Sequence, residues 1–401
     1  MNPGVYKVLR AVALALLMAA MVSPCLAGAK REQNVAREGA GWLQEMSGPL
    51  AGRKALQVNH FIGSVQIVTG AKTASYRLRL HSPESDEQAA RRDFANYRFS
   101  LSRSREADVF TPNNPLDLKL RAELILQIPA STDQVHVDTI AGKITVRGGA
   151  HRLDLRAHGG DIELDEAELL HAIAVGGSVT VHNRLVDSFI RSEGGDIKVE
   201  ASVGELQIAS LGGSIRLKTI ANGRIESGGG NIEITHCTGP LGIRNRGGGN
   251  VNLGEMDGDV HAETGGGSIR IGVAHGMVAV STAMGDIELW KLAQGAIAHT
   301  GMGSITAEFI APKAAMRNSE LVTSMGNLVV YFGGNAGANI RAITGASPSK
   351  RIVSEFSEVR FTNGMAQYGP RSIYGEGTVH GGGPDLLLRT MVGQIELRNA
   401  R

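Results

Sequence analysis

The sequence predicts an all-β fold, a single elongated β-solenoid with about 18 residues and two strands per coil. Its main sign is a unit of glycine, small polar residue, Ile or Val, polar residue and second aliphatic that recurs ten times. The copies are GKITV at Gly142, GDIEL at Gly160, GSVTV at Gly177, GDIKV at Gly195, GSIRL at Gly213, GNIEI at Gly230, GNVNL at Gly249, GSIRI at Gly267, GDIEL at Gly285 and GSITA at Gly303. Successive glycines lie 17, 18 or 19 residues apart, and a fixed period of this kind marks stacked repeats. A weaker unit follows a strong glycine by 9 or 10 residues, as GELQI at Gly204, GDVHA at Gly258, GMVAV at Gly276 and GAIAH at Gly295. Each coil therefore holds two strands and two turns.

Within a unit the two aliphatics are separated by one polar residue, so they share one face of a strand. The left-handed hexapeptide helix also uses 18 residues per coil, but it needs an aliphatic every sixth residue. Here the pairs recur at nine (Ile197 and Val199, Leu206 and Ile208, Ile215 and Leu217), which excludes it. Ten coils spaced by about 4.8 Å make a stack roughly 48 Å long. Glycine supplies positive φ for the reversals, and the small polar residue after it can bond neighbouring backbone. Stacking places Asp161, Ser178, Asp196, Ser214, Asn231, Asn250, Ser268, Asp286 and Ser304 in one line. That line reads first as a turn ladder, with ion binding or catalysis as the alternative. The 53 glycines, about 13% of the chain, follow no triplet period, so collagen is excluded.

The elements follow in order. Residues 1–29 read as a secretory signal, with Lys7 and Arg10 ahead of the apolar stretch Ala11 to Val22 and small residues for cleavage after Ala27 or Ala29. Twelve apolar residues are too few to span a bilayer comfortably. Pro24 before Cys25 fits a lipoprotein box poorly. Residues 30–135 form an N-terminal β/α cap. In it, 30–52 is a polar lead-in or short helix with Trp42 and Leu43 as its apolar exception. Two strand-like runs occupy 53–82, including an early copy, GSVQI, at Gly63. An amphipathic helix follows, with Ser85 and Gln88 as a capping box and Ala90, Phe94 and Tyr97 as its apolar stripe. A strand runs from Leu116 to Ile128. Such a segment would cover the open first coil and block edge-to-edge pairing. The repeat array spans 136–330. Residues 331–401 form a C-terminal strand cap with a long Gly/Ser/Pro loop, closing with GQIEL at Gly393.

With these residues in view, the chain resembles the bacterial "putative adhesin" family, built from repeated GG-[SDN]-I-x-[VIL] units. The resemblance covers roughly 54–401: the early ALQVNHFIGSVQI, the ten regular copies and the closing GGGPDLLLRTMVGQIEL. It implies an exported cell-envelope β-solenoid with no established enzymatic activity and no catalytic residues to carry over.

A search for chemistry finds little. There is no Walker loop, HExxH, CxxC or GxSxG. Ser347 and Lys350 match a bare SxxK, but in GASPSKR they lack a helix start. Twelve histidines are scattered, with His158, His182 and His299 at strand ends and expected to be solvated. Calcium solenoids place aspartate two residues after glycine. Here Asp161, Asp196 and Asp286 follow it directly and lie two or more coils apart, too sparse for a cage of 6–8 oxygens. A polysaccharide-cleaving β-helix would set carboxylates on adjacent coils over a groove, which Asp161, Glu163, Asp165 and Glu166 could supply. Against that, aromatics are 4% and the array holds only Trp290 as a tryptophan. The positions Glu163, Lys198, Arg216, Glu233, Asn252, Arg270 and Glu288 mix both signs, as a solvated ion-paired face does.

Without the signal the chain carries 39 basic and 39 acidic residues, so nothing draws it electrostatically to nucleic acid. Only Cys237 then remains, an expected turn or half-buried thiol that excludes an intramolecular disulfide. The expectation is a non-catalytic exported protein, periplasmic or on the cell surface, serving as an adhesion or scaffold surface. It would have no catalytic residue, cofactor, metal or membrane span, and its partner would be an envelope protein or glycan. The alternative is an envelope-stress or regulatory ectodomain.

Overall fold

The computed structural model describes residues 34–112, 119–310, 315–345, 352–363 and 372–400. The expected signal with Cys25, and the pair Ser347 and Lys350, lie outside the described residues. Within them the chain is nearly all β, with thirty-one strands in one open sheet and one helix.

The alternating units pair in parallel with their counterparts in the next unit. Ile144, Ile162, Val179, Ile197, Ile215, Ile232, Val251, Ile269, Ile287 and Ile305 are thus successive partners. All ten are fully buried. A second buried line runs through Leu155, Ala172, Ile190, Ile208, Ile225, Ile243, Ala262, Val280 and Ala298. A third, which the periodicity did not reveal, occupies the bend: Ala167, Leu185, Ser202, Ile220, Cys237, Met256, Ala274, Leu292 and Phe309. Its residues range from Ala to Phe, so the position carries no sequence signature although it fills every corner.

Two strands per unit hold only for the later repeats. The first five units run as single strands of 13 or 14 residues: Ile144–Ala157, Ile162–Ala174, Val179–Ser192, Ile197–Ser210 and Ile215–Ser227. Register shifts near their midpoints absorb the bend. From Ile232 each unit divides, as in Ile232–Cys237 with Leu241–Asn245 and Val251–Met256 with Val260–Thr264.

Glycine starts each unit for a reason beyond positive φ. Gly213 and Gly230 do have φ of 74° and 80°. Gly160, Gly177, Gly195, Gly249 and Gly267 are absent from the positive-φ set, yet a Cβ on any of them would overlap the backbone of the glycine one unit earlier. Close approach between stacked turns is the shared demand.

Both ends close by the same device. Ala55–Ile62 and Ser64–Thr69 stack in register on the array, with Val65 opposite Ile144 and Val58 opposite Val137. The outermost layer is then built from later residues, Ala107–Pro112 and Arg121–Ile128. At the other end Asp385–Val392 and Ile395–Asn399 stack on Ser319–Met325 and Leu328–Phe332. Here the outermost layer, Ala338–Gly345 and Ile352–Ser354, comes from earlier residues. Each outer layer pairs antiparallel with a further strand, Ser75–Ser82 at one end and Ser372–Val379 at the other. Parallel stacking thereby ends instead of offering a matching edge to another chain.

The lead-in at 30–52 is not helical where it is described. Asn34–Glu38 and Gly41–Pro49 form an antiparallel hairpin that pairs with Ser75–Ser82. Gln44 and Met46 face inward, and the polar Gln44 disguises the period of two. The expected helix spans Glu87–Asn96 (α1). Its cap is Asp86, whose Oδ2 accepts the Ala89 N–H at 2.9 Å, so the Ser85–Gln88 box is displaced by one residue. Ala90, Phe94 and Tyr97 are buried as expected.

Candidate functional site

The turn line is a hydrogen-bonded ladder. Asp161 Oδ1 accepts the Ser178 N–H at 2.8 Å, Ser178 Oγ accepts from Asp196 at 3.2 Å, and Asp196 Oδ1 accepts from Ser214 at 2.7 Å. The pattern resumes at Asn231 and runs through Asn250, Ser268, Asp286 and Ser304 to Asn327 and Gln394. A second ladder, unseen in the sequence, lies inside the same turn. The hydroxyls of Thr264, Thr282, Thr300, Thr323 and Thr390 are buried and donate to the carbonyls of Gly249, Gly267, Gly285, Gly303 and Gly326 at 2.8–3.1 Å. A buried polar group must be bonded, and the recurring Ser or Thr before the glycine turn was its available signal.

Of the carboxylates weighed for catalysis, Glu163 and Asp165 share the guanidinium of Arg147, while Asp161 and Glu166 are engaged elsewhere. Glu163 faces Lys143, Arg147 at 2.8 Å and His182 at 2.7 Å. Hydrogen bonds from Lys143 and His182, opposed by desolvation and helped by Arg147, hold its carboxyl down at about 2. Asp165 accepts from Arg147 at 3.1 Å and from the Gly148 N–H at 2.9 Å. Glu166 turns to a separate notch of about 210 Å³ with His151, Glu168 and Arg184. Asp161 is in the turn ladder. Only Glu163 and Asp165 come together, and Arg147 occupies both.

Eleven of the twelve histidines face a carboxylate. His158, His182 and His299, expected to be merely solvated, contact Asp138, Glu163 and Glu320. Asp154 sits between His136 and His171, one per oxygen at 3.0 Å. Burial pushes its pKa up, but the hydrogen bonds and charge of those histidines and Arg156 outweigh it and hold the carboxyl well below the usual range. Cys237 is fully buried, deeper than expected, with Sγ 3.3 Å from the Gly239 carbonyl. Burial raises its pKa, the Gly239 bond opposes this, and Asp257 adds to it.

Three surface features remain. An open groove of about 660 Å³ crosses successive repeats beside Arg224, Glu226, Gly242, Arg244 and His261. A Cβ on Gly242 would meet nothing within 4 Å, so the missing side chain helps to make the hollow. At another corner Met284, Met302, Met325 and Val392 are successive strand partners, each 44–50% exposed. On a third stretch Glu255, Asp257 and His275 bring their ligand atoms within 4.8 Å of one another. Among the described residues no helix is long and apolar enough to cross a membrane.

No protein-family model and no curated protein matches the chain. Among solved structures it is similar to a putative adhesin from Bacteroides fragilis, at 9% identity over 89% of this chain and 97% of that one, with a TM-score of 0.20. It is also similar to a putative adhesin from Parabacteroides merdae, at 8% identity over 90% and 96%, with a TM-score of 0.27. A third is a putative lipid binding protein from Parabacteroides distasonis, at 9% identity over 90% and 97%, with a TM-score of 0.23. At such identities and scores these likenesses carry no functional argument.

Proposed function

We propose that the chain is an exported cell-envelope β-solenoid with a non-catalytic adhesion or scaffold surface, and that an extended glycan lies along the groove over Gly242. The carrying observation is the groove itself. It is open, crosses several repeats, and is lined by Arg224, Glu226, Arg244 and His261 around a glycine floor. Rigid stacks with a long face suit extended ligands. Glu163 and Asp165 are both tied to Arg147, and Asp161 and Glu166 lie elsewhere, which supports a binding role over hydrolysis, where two free carboxylates must face one bond.

The full chain, immobilised, is offered envelope and matrix glycans. Saturable binding is expected, weakened about 10-fold or more by Gly242→Trp, a bulky side chain placed in the hollow at a position where a Cβ meets nothing within 4 Å. Binding that ignores Gly242→Trp, or cleavage of the glycan, sinks the reading. Fractionation finding the intact precursor in the cytoplasm sinks the export half. The methionine corner favours a second reading, a regulatory ectodomain, because exposed apolar patches mark protein contacts. That reading requires co-purification with a membrane protein, lost in Met302→Glu.

A further inference from the structure

The histidine–carboxylate contacts are not alike. Asp154 spreads His136 and His171 over its two oxygens, and Asp138 does the same with His60 and His158. In these places the carboxylate is the hub, and the imidazoles are held apart. Around Asp257 the arrangement is different. His275 Nε2 lies 3.5 Å from Glu255 Oε1 and 3.9 Å from Asp257 Oδ1. The other oxygen of Asp257, Oδ2, is 3.0 Å from His236 Nε2. Among the described residues this is the group in which three metal-capable side chains converge.

The stacking explains the convergence. His236 and Glu255 are strand partners in adjacent units. Asp257 and His275 follow the corner residues Met256 and Ala274, and their N–H groups donate to the Cys237 and Met256 carbonyls. The side chains thus form a patch one repeat tall on each side of Asp257. Neighbours in the same lines are not ligands: Thr219 precedes His236, and Val273 follows Glu255. The site is bounded by sequence and is not a general property of the repeat.

We propose that Glu255, Asp257 and His275 bind one divalent transition-metal ion of the Zn²⁺ class, with His236 as the partner that orients Asp257. Donors around a tetrahedral ion with ligand distances of about 2.0–2.2 Å lie roughly 3.3–3.6 Å apart; His275 is 3.5 and 3.9 Å from the two carboxylates, and with all three ligand atoms within 4.8 Å of one another, rotamer adjustment closes the set. Two carboxylates and a neutral imidazole match a 2+ charge. One nitrogen and two oxygens suit Zn²⁺, Mn²⁺ or Ni²⁺, whereas Ca²⁺ wants six or more oxygens. Three protein ligands leave a coordination position open to solvent. The bond from His236 to the far oxygen of Asp257 is the outer contact that fixes a ligating carboxylate. The ion would bridge neighbouring repeats from outside. This inference does not rest on the groove or on export.

The test is calorimetric titration of the purified full chain with Zn²⁺, alongside Ca²⁺ and Mg²⁺, at neutral pH. One saturable Zn²⁺ site is expected, abolished by His275→Ala and by Asp257→Asn. His236→Ala should weaken it by about 10-fold, as removal of an outer partner does. His299→Ala, at an exposed His–Glu pair elsewhere, should leave it unchanged. The four positions are exposed or half-buried, and unchanged circular dichroism and urea midpoints without metal confirm that the fold is intact. Absence of saturable Zn²⁺ binding overturns the assignment, as does binding that survives His275→Ala. Equal affinity for Ca²⁺ overturns the metal class.

Discussion

The first five repeats and those after Ile232 solve one geometric problem in two ways. In Ile144–Ser227 the bend sits inside continuous strands, and backbone pairing passes through it with shifts of register. After Ile232 the bend becomes a turn with its own glycine, and each unit is two strands of five to seven residues. The core is common to both regions: the same isoleucine line, the same second aliphatic line and the same corner position. The difference lies in how closely backbones meet at the corner, Gly204 against the Val186 carbonyl being the tight bend among the continuous strands. A paired bend tolerates side chains such as Glu168, which is exposed. A tight turn brings successive backbones together, so that a Cβ on Gly276 would overlap the carbonyl of Gly258. The charge distribution differs as well. Asp154 and Glu163, both held well below the usual carboxylate range, lie in the continuous-strand region.

The largest effect should come from breaking what the regions share. Ile215→Asp puts an unpaired charge into a fully buried line, and a loss of several kcal/mol is expected. Ile269→Asp, its counterpart among the later repeats, should cost a similar amount. Urea unfolding measures both, and an unchanged midpoint for either would remove that line from the core. A smaller effect should separate the regions. Gly276→Ala forces two stacked turns apart and should cost about 2–3 kcal/mol, while Glu168→Ala at a paired bend should stay within about 0.5 kcal/mol. Equal costs would mean that the two bends are equivalent.

The smallest effect is acid sensitivity. The folded pKa of Glu163 is depressed below its unfolded value of about 4.3, so its contribution is present above that pH and lost as pH falls toward 2. At a solvent-facing network this amounts to about 1 kcal/mol. Hydrogen exchange between pH 5 and 3 should therefore speed up first in Ile144–Ser192, and Glu163→Gln should flatten that response. Faster exchange in the later repeats instead would place the acid-sensitive network elsewhere.

Much of this was readable from residues alone, and for local reasons. Alternation puts Ile162 and Leu164 on one face whatever lies around them, and Gly213 followed by Ser214 marks its turn by chemistry within a few atoms. α1 was legible from its stripe Ala90, Phe94 and Tyr97, although its cap shifted to Asp86 because a carboxylate was available one residue later. The Met284, Met302 and Met325 corner, the groove at Gly242 and the Glu255–Asp257–His275 group were not legible. Each joins residues of successive units whose neighbours in sequence differ from unit to unit.

By itself, then, the sequence determined the all-β class, the repeat period and the two aliphatic lines that face inward, because those depend on backbone geometry and side-chain polarity over a few positions. Only the tertiary structure decided the order of the layers at each end. The GSVQI copy at Gly63 is followed in the chain by the strands that lie outside it, and the closing GQIEL at Gly393 slips between Leu328–Phe332 and the earlier Ile352–Ser354. A strand's hydrophobic face says that it must be covered, not which strand will cover it. That choice is made by the antiparallel partners that finish each edge, and their pairing is encoded over distances that no short pattern spans.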